Sequence, residues 1–111
     1  MAKVSRSYSR YTQEAATLLG NMIRLGRMER NFTLQELAER AGISRGLLQR
    51  IEKGELGCEI GAVFEVAGIV GIKLFEDETT SLKLANASIT DKLALLPKYV
   101  RKQAKKVDDD F

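Results

Sequence analysis

The stretch LGNMIRLGRMERNFTLQELAERAGISRGLLQRIEKGE, from Leu19 to Glu55, decides the fold. Thr33, followed three residues later by Glu36, forms the capping-box pattern that begins a helix. Gly42 is the kind of residue that ends a helix, because its backbone adopts a positive φ without strain. Ser44 is the candidate N-cap of the next helix, and Gly54 is predicted to end that helix. The stretch therefore predicts two short helices joined by a tight turn.

Helical periodicity continues on both sides of this stretch. A preceding helix is predicted from Thr12 to about Arg30, with a core face formed by Ala15, Leu18, Leu19, Met22, Ile23 and Met28. A further helix is predicted over about residues 59–70, ending at Gly71. Apolar residues just beyond it are expected to close the core, with a short fifth helix as one alternative: Ile72, Leu74 and Phe75.

A second amphipathic pattern follows Asp77. Its apolar positions at helical spacing are Leu82, Ala85, Ile89, Leu93 and Leu96. Pro97 is expected to end this helix, and a break near Ser88 is an alternative.

These elements predict an all-α chain with a compact four- to five-helix domain. Four segments are expected: a flexible basic arm over residues 1–11, the domain over 12–76, a helical extension over 77–97 and a flexible tail over 98–111. The extension is a candidate for dimerisation.

Charge is concentrated at the two ends of the chain. The net charge is +3 and the pI is near 9.1. Residues 1–11 hold three basic residues and no acid, residues 98–106 hold five and no acid, and three aspartates follow. Basic ends suit a polyanionic partner, because Lys and Arg displace the counterions on phosphates. Two solvated tails that keep the protein soluble are an equal alternative.

Composition argues against several classes of protein. The chain lacks histidine, the usual base for a nucleophilic Ser or Cys, and no GxxxxGK[ST] loop occurs, so we expect no enzyme and no cofactor. Cys58, the single cysteine, cannot form an internal disulfide or a zinc site, and we expect it to be an ordinary small apolar residue. No apolar run reaches the ~18 residues of a membrane span. We expect a cytoplasmic protein without a metal.

The helix after Ser44 has two unlike sides. Leu48 and Ile51 are predicted to point inward, while Arg45, Gln49 and Arg50 point outward with hydrogen-bond donors that can reach base edges in a major groove. The alternative is that the Arg45 and Arg50 side chains are merely solvated. Leu47 fits either the core or a thymine methyl group.

Four motifs in this stretch together resemble the helix-turn-helix of the Cro/C1 (XRE) family of bacterial and phage regulators. They are IRxxR at Ile23, TxxELA at Thr33, AGIS at Ala41 and RIExG at Arg50. The resemblance covers about half the chain. It implies a lambda-repressor-like domain that binds double-stranded DNA at a palindromic operator as a homodimer and represses transcription.

The resemblance also implies roles for individual residues. Base contacts would come from Arg45, Gly46, Leu47, Gln49 and Arg50, and backbone contacts from Thr33, Ser44, Lys53, Arg6 and Arg10. Arg27 and Glu52 would form a partly buried structural ion pair. Two positions depart from the family: Leu34 replaces a glutamine that commonly touches phosphate, and Gly46 replaces a polar side chain. Our candidates for the dimer surface are Leu56, Phe75, Leu82 and Ile89.

The C-terminal segment ALLPKYVRKQAKKVDDDF resembles the end of small XRE proteins, HipB-like antitoxins, encoded beside HipA-type toxin kinases. We predict that Lys98 to Phe111 is a docking peptide for a protein partner such as this kinase, because an aromatic ring flanked by negative charge suits a basic-rimmed pocket. The docking residues would be Asp108, Asp109, Asp110 and Phe111. An acidic tail that folds back on the basic stretch is the alternative. Two other functions are possible interpretations of the sequence. The protein is then either a regulator without a toxin partner or a helix-turn-helix module that binds only protein.

Overall fold

The computed structural model describes residues 7–75, 79–100 and 102. Within these residues it contains helices and no strand, so the predicted all-α class is confirmed. The helices are α1 (Arg10–Glu29), α2 (Leu34–Ala41), α3 (Arg45–Glu52), α4 (Ile60–Ile69) and α5 (Thr79–Ala94). The chain divides into two units: α1 to α4 lie in the unit that ends at Phe75, and α5 lies in the unit that begins at Glu76.

The first helix begins two residues earlier than the sequence predicted. Ser9 is its N-cap, because the Ser9 hydroxyl accepts a hydrogen bond from the backbone N–H of Thr12 at 3.2 Å. Arg10 and Tyr11 therefore lie in the first turn of α1 rather than in a flexible arm. The serine cap was the signal that sequence reasoning missed.

The helices α1 to α4 all end in the same way. In α2, the N–H of Gly42 donates to the carbonyl of Glu39, and the N–H of Ile43 donates to the carbonyl of Ala38. This is the Schellman motif, which requires a left-handed residue, and Gly42 has φ 72°. Asn31 fills the same position after α1 with φ 60°. The predicted stops at Gly42, Gly54 and Gly71 all have positive φ.

The core of the first unit lies where α1 to α4 meet. Its buried apolar residues are Ile23, Leu37, Ala38, Leu48, Ile51, Ala62, Val66, Ala67 and Val70. The predicted core face of α1 was mostly wrong, because Leu18, Met22 and Met28 are exposed and Ile23 is buried beside Gly20 and Gly26. Leu74 and Phe75 are also exposed and no helix follows Val70 before Phe75, so only Ile72 packs on the core as expected.

Glycine lets α1 and α3 approach each other closely. A Cβ atom added at Gly20 would lie 2.6 Å from the carbonyl oxygens of Ile51 and Glu52, closer than van der Waals contact allows. The backbone of α1 therefore lies directly against the end of α3, and any side chain at this position would push the two helices apart.

The second unit contains a single helix in the described part of the chain. α5 runs without a break through Ser88 and ends three residues before Pro97. None of its described residues is buried, and Ile89, Leu93 and Leu96 are exposed. Among the described residues, no helix is long and apolar enough to cross a membrane.

Candidate nucleic-acid interface

The tight turn between α2 and α3 sets the direction of α3. After Gly42 reverses the chain, the Ser44 hydroxyl accepts a hydrogen bond from the backbone N–H of Leu47 at 3.0 Å. This cap fixes the first turn of α3 and leaves the hydroxyl hydrogen of Ser44 free to donate.

The inner side of α3 is tied to α1 by an ion pair. Arg27 donates to both carboxylate oxygens of Glu52, from Nε at 2.7 Å and from Nη2 at 3.1 Å. Its Nη1 also donates to the carbonyl of Phe32 at 2.9 Å, in the connection before α2. The two side chains are only 11% and 7% exposed. The structure thus joins the two residues that the resemblance assigned to a structural pair.

The outer side of α3 carries the predicted base-contacting residues. Arg45, Gly46, Gln49 and Arg50 are exposed, as is Lys53 just after the helix. Within the described part of the chain, the side chains of Arg45, Gln49 and Arg50 form no hydrogen bond or ion pair. Leu47 is half-buried against the core, so it lies at the border between the inner and outer sides.

The start of α2 carries another predicted contact. The Thr33 hydroxyl accepts from the N–H of Glu36 at 3.0 Å, and the Glu36 carboxylate accepts from the N–H of Thr33 at 2.9 Å. The predicted capping box is therefore present, with Thr33 exposed. Leu34 is half-buried against the core, which explains why an apolar residue occupies this position.

Some predicted site residues lie apart from α3 or outside the described residues. Arg10 is exposed in the first turn of α1. Arg6, Asp108, Asp109, Asp110 and Phe111 lie outside the described residues, so their predicted roles in backbone contact and partner docking stay predictions.

Two contacts near the connection between α1 and α2 were not predicted. Arg30 donates from Nη1 to the carbonyl of Val70 at 2.7 Å, at the end of α4. Arg40 lies over the ring of Phe32, 4.5 Å from its centroid. Basic residues in the last turn of a helix are a known sequence signal, but Arg30 caps a different helix that lies 40 residues away in sequence. Nothing local predicts such a contact.

Cys58 is half-buried and packs against the core. Burial raises the pKa of its thiol, the nearby Arg50 charge opposes this shift, and Glu55 adds to it. The net direction disfavours the reactive thiolate, in line with an ordinary core residue. In the described part of the chain, no group of three or more His, Cys, Asp or Glu residues could hold a metal ion.

Comparisons with known proteins agree with this arrangement. A family model described as helix-turn-helix matches residues 23–58. A solved structure of a HipB variant in complex with an O2 20mer shares the fold, with 19% sequence identity and a TM-score of 0.50. The match covers 69% of this chain and 99% of that one. No curated protein matches significantly. The family model thus places a helix-turn-helix at residues 23–58, in the same stretch that carries the predicted resemblance to the Cro/C1 (XRE) family.

Proposed function

We propose that this protein is a sequence-specific DNA-binding regulator, a repressor that binds a palindromic operator as a homodimer. The main support is the outer side of α3, where Arg45, Gln49 and Arg50 are exposed and, within the described residues, form no hydrogen bond or ion pair. The inner side of the same helix is tied to α1 by the Arg27–Glu52 ion pair. In a helix-turn-helix, this second helix is the one that enters the major groove.

The donors on α3 match the chemistry of base edges. Each arginine side chain can donate two hydrogen bonds to guanine O6 and N7, and the Gln49 amide can pair with adenine N6 and N7. Arg45 and Gln49 lie four residues apart, as do Gly46 and Arg50, so the four positions share one face of the helix. Leu47 borders this face and is the candidate for contact with a thymine methyl group.

Gly46 supports a close approach of DNA to this face. A Cβ atom added there would meet nothing within 4 Å, so packing within the protein does not require a glycine. A glycine inside a helix costs up to ~1 kcal/mol relative to alanine. A backbone that must lie close to the base pairs would explain why the helix tolerates this cost.

The contacts that hold the DNA backbone are proposed on both sides of α3. Because the hydroxyls of Thr33 and Ser44 already accept backbone N–H groups, each has its hydrogen available to donate to a phosphate oxygen. Lys53 and Arg10 supply exposed charges, and Arg6 is assigned by sequence alone. Such contacts position the protein without reading sequence.

A homodimer follows from the small footprint of one helix. Two copies related by a two-fold axis would place two α3 helices about 34 Å apart, one turn of DNA. In the first unit, the exposed rings of Phe64 and Phe75 stack with centroids 6.2 Å apart, and Ile60 lies one helical turn before Phe64. We propose this apolar surface, with the half-buried Leu56, as the dimer contact, and Leu82 and Ile89 of α5 as a second contribution.

Replacing Arg45 by alanine tests the proposal. A lost bidentate contact should cost ~1–3 kcal/mol of discrimination at one base pair, which is about a 5- to 150-fold change. Replacing Lys53 by alanine should weaken binding to all sequences alike and lower its salt dependence. The measurement is a shift assay with the protein's own promoter fragment and single-base variants, each at two salt concentrations.

The matched control is Arg40→Ala, which removes the same charge from α2, where Arg40 covers Phe32. It should keep both affinity and base preference. Unchanged specificity in the Arg45→Ala protein would contradict the assignment. A full-length chain that bound no promoter fragment at low salt would instead favour a module that binds only protein.

A HipA-like toxin kinase is the proposed protein partner. The support is the resemblance of residues 94–111 to antitoxin tails, together with the shared fold of the HipB variant. Deletion of Asp108 to Phe111 should abolish binding to a kinase encoded beside this chain and leave DNA affinity almost unchanged. Retained kinase binding would favour the alternative of a solubilising acidic tail.

A further inference from the structure

An apolar stripe runs along the side of α1 that does not face the core. It consists of five exposed residues, which we call the α1 stripe: Tyr11, Ala15, Leu18, Met22 and Leu25. Four of them are large, with exposed fractions of 81% for Tyr11, 60% for Leu18, 41% for Met22 and 59% for Leu25. Single exposed apolar residues are ordinary, but a continuous row along a 20-residue helix is not.

The spacing of the α1 stripe indicates what kind of surface fits on it. Its members lie four, three, four and three residues apart, which is the repeat of the a and d positions of a coiled coil. The buried seam of Gly20, Ile23 and Gly26 follows a separate row of the helix, so the stripe is additional to the core face. A surface with this repeat packs against another helix that carries a matching repeat.

We infer that the α1 stripe binds the α1 stripe of a second copy of this chain, with the two helices antiparallel. In the register that places Leu18 opposite Met22 of the second copy, Ala15 lies opposite Leu25. Tyr11 then lies opposite Glu29, the next position of the repeat after Leu25. The contact is symmetric, because every pair occurs twice around the two-fold axis.

Charge favours this arrangement over a parallel one. Parallel helices would place Glu29 against Glu29 of the second copy in the same layer, which is repulsive. In the antiparallel register, Glu29 meets the Tyr11 hydroxyl, which can donate a hydrogen bond to its carboxylate. Glu14, which borders the stripe, lies opposite Met28 of the second copy, so no like charges meet along the contact.

This contact goes beyond the proposed function and does not depend on DNA. It uses residues of α1 rather than Phe64 and Phe75 of the proposed dimer contact.

The register gives a direct test by chemical crosslinking. The antiparallel arrangement places Asn21, on the flank of the stripe, next to Asn21 of the second copy. The full chain with Cys58→Ala and Asn21→Cys should therefore crosslink efficiently to itself with a short bismaleimide, giving a covalent dimer on a denaturing gel. The matched control is Cys58→Ala with Thr17→Cys, because residue 17 is also exposed on α1 but does not belong to the row that forms the stripe. It should give only a background yield.

Adding Leu18→Glu to the Asn21→Cys protein should lower the crosslinked yield at least about tenfold, because two unpaired carboxylates would be buried at the contact. Thr17→Glu, which adds the same charge one residue earlier, should leave the yield unchanged. Equal yields from the Asn21→Cys and Thr17→Cys proteins, or a yield insensitive to Leu18→Glu, would overturn the inference. Circular dichroism of each variant checks that its helix content matches that of the parent protein.

The outcome is independent of the outcome for DNA binding. Arg45→Ala should lose base discrimination and keep the crosslink, whereas Leu18→Glu should lose the crosslink and keep the base discrimination of the remaining complex. An α1 stripe covered by a different protein, or by another segment of the same chain, would leave the isolated Asn21→Cys protein uncrosslinked and would also overturn the inference.

Discussion

The inner and outer sides of α3 are built in opposite ways, although they belong to the same eight residues. On the inner side, Leu48, Ile51 and Glu52 are buried, and Glu52 is held by two hydrogen bonds from Arg27. On the outer side, Arg45 and Arg50 are exposed, and within the described residues they form no hydrogen bond or ion pair. The contacts on the inner side fix the position of the α3 backbone, and so the positions of the Cα atoms that carry Arg45 and Arg50. The hydrogen-bond donors of these two side chains remain available for a ligand. Changes on the inner side should therefore affect stability, and changes on the outer side should affect binding.

The largest expected effect on stability comes from a change on the inner side of α3. Arg27→Met should lower the free energy of unfolding by about 3–5 kcal/mol, because Glu52 would remain buried without its partner. Denaturant unfolding followed by circular dichroism measures the loss. The double variant with Glu52→Leu should recover most of it, since the stranded carboxylate is then absent. A cost below about 1 kcal/mol for the single variant would place this pair with ordinary surface ion pairs.

A smaller effect is expected where α1 lies against α3. Gly20→Ala should destabilise the protein by about 1–3 kcal/mol, because the new methyl group would overlap two backbone carbonyls that cannot rotate away. The matched control is Gly61→Ala in α4, where a new Cβ atom meets nothing within 4 Å. That variant should gain stability or stay unchanged. If both variants behaved alike in thermal unfolding, the close approach of α1 and α3 would be wrong.

The smallest expected effect on stability comes from a change on the outer side of α3. Gly46→Ala should raise the free energy of unfolding by up to ~1 kcal/mol, since alanine favours the helix and meets no neighbour. The same variant should bind the promoter fragment more weakly, because the methyl group would stand between α3 and the groove. Stability and DNA affinity would then change in opposite directions. A variant with equal or higher affinity would show that the backbone at this position does not approach the bases.

Much of the fold was predictable because its boundaries are local. The capping box at Thr33, the serine cap at Ser44 and the left-handed Gly42 each depend on residues within a few positions. The core face of α1 was not predictable in this way. Apolar residues occupy two rows of that helix, and hydrophobic periodicity does not tell which row is buried. Two of the three buried positions are glycines, whose role is close approach rather than apolar area.

The candidate site was also predictable only where it depends on residues that are close in sequence. The outward direction of Arg45, Gln49 and Arg50 follows from their spacing relative to Leu48 and Ile51. The hydrogen bond from Arg30 to Val70 and the exposure of Phe75 depend on how distant segments meet. No pattern within a single helix contains that information.

The shortness of α3 has a consequence for the energetics of recognition. Eight residues are too few for a helix to persist by itself in water, so α3 owes its order to its caps, to the backbone of α1 and to the Arg27–Glu52 pair. These contacts form when the chain folds, before any ligand arrives. Little backbone entropy then remains to be lost on association, and the interaction energy at the exposed face goes mainly into affinity and discrimination.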